Sequence, residues 1–236
     1  MINYFPMRES RRYHDGCAAA HGLDLIGERW ALLVARELML GPKRFTDLRA
    51  GLPGISPNVL TQRLEELERH AIIRRRKLAP PSAAWVYELT EWGSQLEPVL
   101  IALGRWAARS PFLPQGHLNA DSLILSFRTM FDQKMAADFN ATIEIRLGDE
   151  AFHATIHRGQ MELIRGNAQH PDAIVETNSD TLAMVVYGGR ALADALRSGD
   201  LKVDGDKSVA KRFVALFPLP ERADTSSAAG ESRHPR

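Results

Sequence analysis

Leucines and other apolar residues recur through the first hundred positions at spacings that alternate between helix and strand. Leu25, Leu32, Leu33 and Leu38, with Trp30 among them, predict a helix that ends at Gly41-Pro42. FTDLRAGL, residues 45–52, predicts a short second helix with Phe45 and Leu48 turned inward. Ser56-Pro57 then supplies an N-cap and a proline at the first helical position, and Leu60, Leu64 and Leu67 share one face of the helix 57–69. From Ile72 the period shortens: IIRRRKL, a loop APPSAA and WVYELT predict two antiparallel strands with a proline-bearing tip. Thr90 caps a further long helix through Leu96, Val99, Leu100, Leu103 and Trp106. Helix, helix-turn-helix, two-stranded ribbon, helix is the order of a winged helix.

A seam follows at residues 110–122, where Pro111, Pro114 and Gly116 interrupt the pattern. Beyond it, Ile124, Phe127, Phe131 and Met135 keep helical spacing, while TIEIRL (142–147) alternates strictly. AFHATI, QMELIR and AIVETN come at short intervals, so an antiparallel sheet is expected. SDTLAMVVYGG and RALADALRSG predict helices, LKVDG one more short strand, and KSVAKRFVALF a closing helix. The chain therefore divides into a winged helix domain over 1–110, a linker at 111–118 and an α+β domain over 119–218, without internal repeats. The tail 219–236 is small and polar, and disorder is expected there.

Composition adds bounds rather than a function. With 236 residues, 44% hydrophobic and 25% charged, the chain suits one large globular domain or two small ones. No run reaches the ~18 apolar residues of a membrane span, and the start lacks the apolar core of a secretory signal. A single cysteine, Cys17, rules out an internal disulfide framework, so a cytoplasmic protein without membrane contact is expected. Charge is unevenly spread: residues 1–115 hold 16 Lys and Arg against 12 Asp and Glu, and the remainder 14 against 17. A mildly basic half joined to a mildly acidic one fits a polyanion-binding module tethered to something else.

Chemistry for that module lies in GISPNVLTQRLEELERHAIIRRRKL. With the leucines inward, Asn58, Thr61, Gln62 and, towards the flank, Arg63 are expected to face out beside Ser56. Amides suit bidentate contact with adenine, and arginine suits guanine. Arg74, Arg75, Arg76 and Lys77 open the ribbon, where they can reach phosphates that position the helix in the major groove.

CAAAHGLDLIGERWALLVARELMLGPKRFTDLRAGLPGISPNVLTQRLEELERHAIIRRR, together with YELTEWG at 87–93, closely resembles the HxlR family of bacterial winged-helix transcription regulators. The resemblance covers about residues 14–109. It implies a homodimer whose terminal helices pair, with one recognition helix per protomer on a two-fold operator in double-stranded DNA. Family members repress or activate; a repressor is the expectation here. Some relatives use a cysteine at the position of Cys17 to sense oxidants or electrophiles, and Arg11 and Arg12 lie close in sequence, where a suitable geometry would lower its pKa. The alternative role for Cys17 is simply to pack a helix start.

The closing half, DAIVETNSDTLAMVVYGGRALADALRSGDLKVDGDKSVAKRFVALFP, resembles the sterol carrier protein fold over roughly residues 119–218. That family encloses an apolar tunnel, which implies a hydrophobic small-molecule effector contacted by Phe127, Phe131, Ile143, Met161, Met184, Val185 and Phe213. Those side chains serve equally well to fill a solid core. Neither an enzyme nor a cofactor is expected, since no motif joins a nucleophile to a base. His153 and His157 fall in a strand, where four residues span ~13 Å, too far to share a metal. Asp200, Asp204 and Asp206 lack the spacing of a calcium loop. Two other classes stay open: a lipid carrier that uses its winged helix only to dimerise, and a thiol-based redox regulator acting through Cys17.

Overall fold

The computed structural model describes residues 13–113 and 116–224. It divides into two compact units, one up to Glu97 and one from Pro98 onward. Arg11, Arg12, Pro114 and tail residues 225–236 lie outside the described residues. No helix of the described residues is long and apolar enough to cross a membrane.

The first unit runs α1 (Ala18–Ile26), α2 (Ala31–Glu37), α3 (Phe45–Gly51), α4 (Pro57–Arg69), β1 (Ile73–Lys77), β2 (Trp85–Leu89) and α5 (Glu91–Ser94). The helix expected through Leu25 to Leu38 is broken in two, because Trp30 adopts the left-handed conformation (φ 80°) and restarts the chain as the N-cap of α2. Ser56 caps α4 as expected, its Oγ accepting the Val59 N–H at 3.3 Å, with Pro57 at the first helical position. Leu60, Leu64 and Leu67 of α4 are buried against Leu48, Leu52, Val34, Leu38 and Ile73. Each such side chain contributes about 1.5–3 kcal/mol of transfer free energy. β1 and β2 form the wing, with Lys43 adding an isolated bridge to Tyr87.

Thr90 does cap the next helix, accepting from Gly93 N at 2.9 Å, but α5 is only one turn long. Gly93 explains the tight fit: a Cβ there would stand 1.9 Å from the Ile72 carbonyl oxygen. The chain then restarts as α6 (Glu97–Ala108), and by contacts the two compact units part between Glu97 and Pro98, at the first residue of that helix. The physical reason lies in α6 itself, whose Arg105 donates to the carbonyls of Thr129 and Phe131 (2.5 and 3.3 Å) and whose Arg109 donates to that of Glu221.

After α6 come α7 (Ala120–Met130), β3 (Ala141–Leu147), β4 (Glu150–His157), β5 (Gln160–Arg165), β6 (Ala173–Thr177), α8 (Ser179–Val186), α9 (Leu192–Ser198), β7 (Lys202–Gly205) and α10 (Lys207–Val214). The strands form one sheet in the order β5-β4-β3-β6-β7. It is not wholly antiparallel as expected, because β6 pairs with β3 in parallel. Residues 166–172 make this possible by returning diagonally across the sheet. Gly166 N–H reaches Ala151 O, Ala168 N–H reaches the Glu144 carboxylate at 2.8 Å, and Asp172 N–H reaches Thr142 O. Glu144 is only 2% exposed and tolerates that burial because it also accepts from Arg146 at 2.7 Å.

The opposite face of the sheet carries Ile143, Ile145, Phe152, Ala154, Leu163 and Val175, all buried. α7, α10 and the residues that follow each of them bring four aromatic rings together. Phe127 stacks on Phe217 at 4.4 Å, Phe213 meets both edge-on at 5.9 and 5.0 Å, and Phe131 lies 6.2 Å from Phe217.

Candidate nucleic-acid interface

α4 presents a polar row. Asn58, Thr61, Gln62 and Glu65 are all exposed, at the i, i+3, i+4, i+7 spacing of one helix face. Because Glu65 would repel phosphate, the reading surface is confined to the first two turns, where Ser56 also stands exposed. Glu66 accepts from the Gln62 amide at 3.1 Å, which fixes the amide and leaves its carbonyl and one N–H to point outward.

Arg63 departs from expectation: it does not face out. The residue is 5% exposed and pairs with Glu66 at 2.6 Å and with Glu28 at 3.5 Å. Position 63 is three residues from Leu60 and four from Leu67, so helical geometry sets it on their side, and the two carboxylates compensate its buried charge. Arg63 thereby ties the reading helix to the turn between α1 and α2.

The wing sorts its four cations onto two faces. Arg74 stands opposite Glu88, and both Arg74 and Arg76 donate to that one carboxylate, at 2.7 and 2.6 Å. Partial burial works to raise the Glu88 pKa, but hydrogen bonds and charge from Arg76 and Arg74 outweigh it and hold the carboxyl below its ordinary value. On the other face, the Arg75 guanidinium lies 4.6 Å over the Trp85 ring and 5.9 Å from Tyr87, while Glu68 accepts its backbone N–H. Lys77, opposite Trp85, is exposed. Arg75 and Lys77 thus keep cationic charge free of Glu88. Glu66, Glu88 and Trp85 escaped the sequence reading; for Glu88 the signal was there, since hairpin register sets it against the RRRK run.

The first unit also holds a buried carboxylate. Glu37 is 0% exposed and accepts from Arg36 at 2.8 Å and Lys43 at 2.6 Å.

Of the residues expected to line a tunnel, Phe127, Ile143 and Phe213 are sealed in the core, and Phe131 and Val185 are nearly so. Met161 is half-buried on the edge strand β5, and Met184 is 50% exposed. The structure therefore packs the aromatic members of this set against one another, and Phe217 occupies the space between them. Only Phe131 of the set also borders an open groove of about 740 Å³ in the second unit.

Cys17 is exposed at the N-cap of α1. Its thiol makes no capping hydrogen bond, yet the Ala20 and Ala19 N–H groups at the helix start favour the thiolate and lower its pKa. We expect alkylation of Cys17 to follow a pH profile whose midpoint lies below that of an unperturbed cysteine. Iodoacetamide kinetics against a model thiol measure this, and coincident profiles would refute it.

Two aspartates of the Asp200, Asp204, Asp206 set serve structure: Asp200 holds Arg190 at 2.5 Å, and Asp206 caps α10 through Ser208 N–H. Among the described residues no group of His, Cys, Asp and Glu could hold a metal.

Residues 25–112 match the HxlR-like helix-turn-helix family, and residues 116–223 match the alkyl sulfatase C-terminal family. The sterol carrier resemblance finds no support in that second match. The chain is 34% identical over 85 residues to the HTH-type transcriptional regulator YvaP of Bacillus subtilis, covering 36% of this chain and 79% of YvaP. It is similar to the reduced form of the regulator YodB from B. subtilis, at 34% identity and a TM-score of 0.38, covering 42% of this chain and 98% of YodB. It is also similar to the sec-alkylsulfatase Pisa1 from Pseudomonas sp., at 22% identity and a TM-score of 0.37. That likeness covers 41% of this chain, which spans only 15% of the sulfatase.

Proposed function

The chain belongs to the HxlR-like helix-turn-helix family of transcriptional regulators, and from that premise we propose that it is a homodimeric, non-enzymatic repressor of a two-fold operator. One observation carries the reading: the exposed amides and hydroxyl of Asn58, Thr61 and Gln62 stand beside a wing that keeps Arg75 and Lys77 unpaired with Glu88. A lipid carrier that merely dimerised through its winged helix would need none of them.

The two groups of residues contribute differently. Gln62→Ala is expected to lose ~1–3 kcal/mol of discrimination at one base pair while keeping its affinity for random DNA. Arg75→Ala is expected to weaken all sequences alike and to reduce the salt slope by about 1. Titrations of operator and random duplexes at several salt concentrations separate these outcomes. If Gln62→Ala binds both duplexes as the parent does, α4 is not the reading element.

Within the same proposal the second unit is an effector domain. A ligand regulates only if it distinguishes DNA-competent from incompetent dimers, and ~1–3 kcal/mol of coupling changes occupancy five- to 150-fold. Thiol sensing is a second reading, favoured by the exposed, thiolate-stabilising position of Cys17. With one cysteine, its products are an inter-subunit disulfide, a mixed disulfide or a direct adduct. Operator release on treatment with diamide, lost in Cys17→Ser, would favour it over the effector domain.

A further inference from the structure

Three segments of the second unit wall the open groove of about 740 Å³: the last turns of α6, the end of α7 with the turn after it, and the stretch at Pro218 to Pro220. Its volume lies within the ~300–1,000 Å³ range of small-molecule sites. Phe131 and Pro218 give it an apolar floor, and the Trp106 ring stands at its rim, 74% exposed.

The charge around that floor is one-sided. Arg105, Arg109 and Lys134 all border the groove. The two arginines spend N–H groups on backbone carbonyls, those of Thr129, Phe131 and Glu221, which leaves their charge unneutralised. No ion pair joins any of the three cations to a carboxylate among the described residues. Asp132 is the one acid of the lining, and its Oδ1 is occupied with the backbone N–H groups of Lys134 and Met135. An excess of cations, two of them held by backbone carbonyls, over an apolar floor is complementary to a molecule with an apolar body and an anionic head.

We propose that this groove, and not the packed aromatic core, is the ligand site of the second unit, and that its ligand is an organic anion with an aliphatic body. The proposal rests on the reading of that unit as an effector domain. Arg109 and Lys134 hold the head, while Trp106 and Phe131 cover the body. Trp106 also belongs to the exposed stripe Val99, Leu103, Trp106 of α6, so occupancy of the groove and self-association of the chain draw on the same indole.

The test uses the full chain with decanoate, decanol and decyltrimethylammonium, followed by tryptophan emission and calorimetry. Decanoate is expected to bind at least tenfold more tightly than the other two. Arg109→Gln with Lys134→Gln should weaken decanoate about tenfold and leave decanol unchanged, the size of one charge-assisted contact. Trp106→Phe should bind decanoate while losing most of the emission change. Equal affinity for decanol, an unaffected double variant, or an unchanged emission response in Trp106→Phe would each overturn the assignment. If decanoate binds as described but leaves operator affinity untouched, the site stands and the effector reading falls.

Discussion

Trp106→Glu is expected to yield monomers in sedimentation velocity and to lower operator affinity by ~10²–10⁴-fold, the loss that follows when two half-sites no longer act together. α6 leaves Val99, Leu103 and Trp106 exposed at 48%, 44% and 74%, in a row spaced four and three along one helix face. Such a stripe of large apolar side chains is the surface that a second copy would cover. Placing a carboxylate at the end of this stripe costs little within the monomer, because the indole is mostly in water, but would bury an unpaired charge in the dimer. A Trp106→Glu protein that remains dimeric at the parent's affinity would move the interface off α6.

Phe127→Ala is expected to lower the stability of the second unit by ~3–5 kcal/mol, the range for emptying an aromatic site in a close-packed core. Phe127 is fully buried, stacked on Phe217 at 4.4 Å and within 6.3 Å of Tyr187. Tyr187 itself, half-buried and hydrogen-bonded to Ser126 at 2.8 Å, cannot swing in to refill the space without losing that bond. Thermal unfolding followed by hydrogen exchange in β3 and β4 measures the loss. Were these rings the lining of a hollow tunnel instead, the same substitution would cost less, because no new void opens in a packed core, and would increase the uptake of apolar probes.

The difference between those outcomes marks how far periodicity can be read. Spacing announces that Phe127, Ile143 and Phe213 face inward, but it contains no information on whether their far side meets another ring. Phe217, three residues beyond the last turn of α10, supplies that ring. The winged helix was legible because each of its elements carries its own stop and start: Gly41-Pro42, Ser56-Pro57, the proline-bearing wing tip and Thr90. Arg63 was misplaced although its spacing from Leu60 and Leu67 is that of an inward position. A guanidinium reads as solvent-facing until Glu28, distant in sequence, is known to lie within reach. Strand direction was not legible either, since AIVET alternates identically whether it pairs parallel or antiparallel. Likewise α6 shows an apolar stripe without showing which unit holds its other face.

The diagonal return of residues 166–172 imposes an order of events on the refolding chain. β3, β4 and β5 are joined by tight turns and can zip together as a local meander. β6 must instead find β3 across about thirty residues, from Ile143 to Ala173, and only after the meander offers a free edge. β7 then depends on β6 for its sole pairing, at Val175↔Val203 and its neighbours. A late-forming edge of this kind leaves β3 briefly unpaired on one side during synthesis, a template for another chain's strand. Refolding yield should therefore fall with concentration, and pulse-labelling exchange should protect β4 amides well before those of β7.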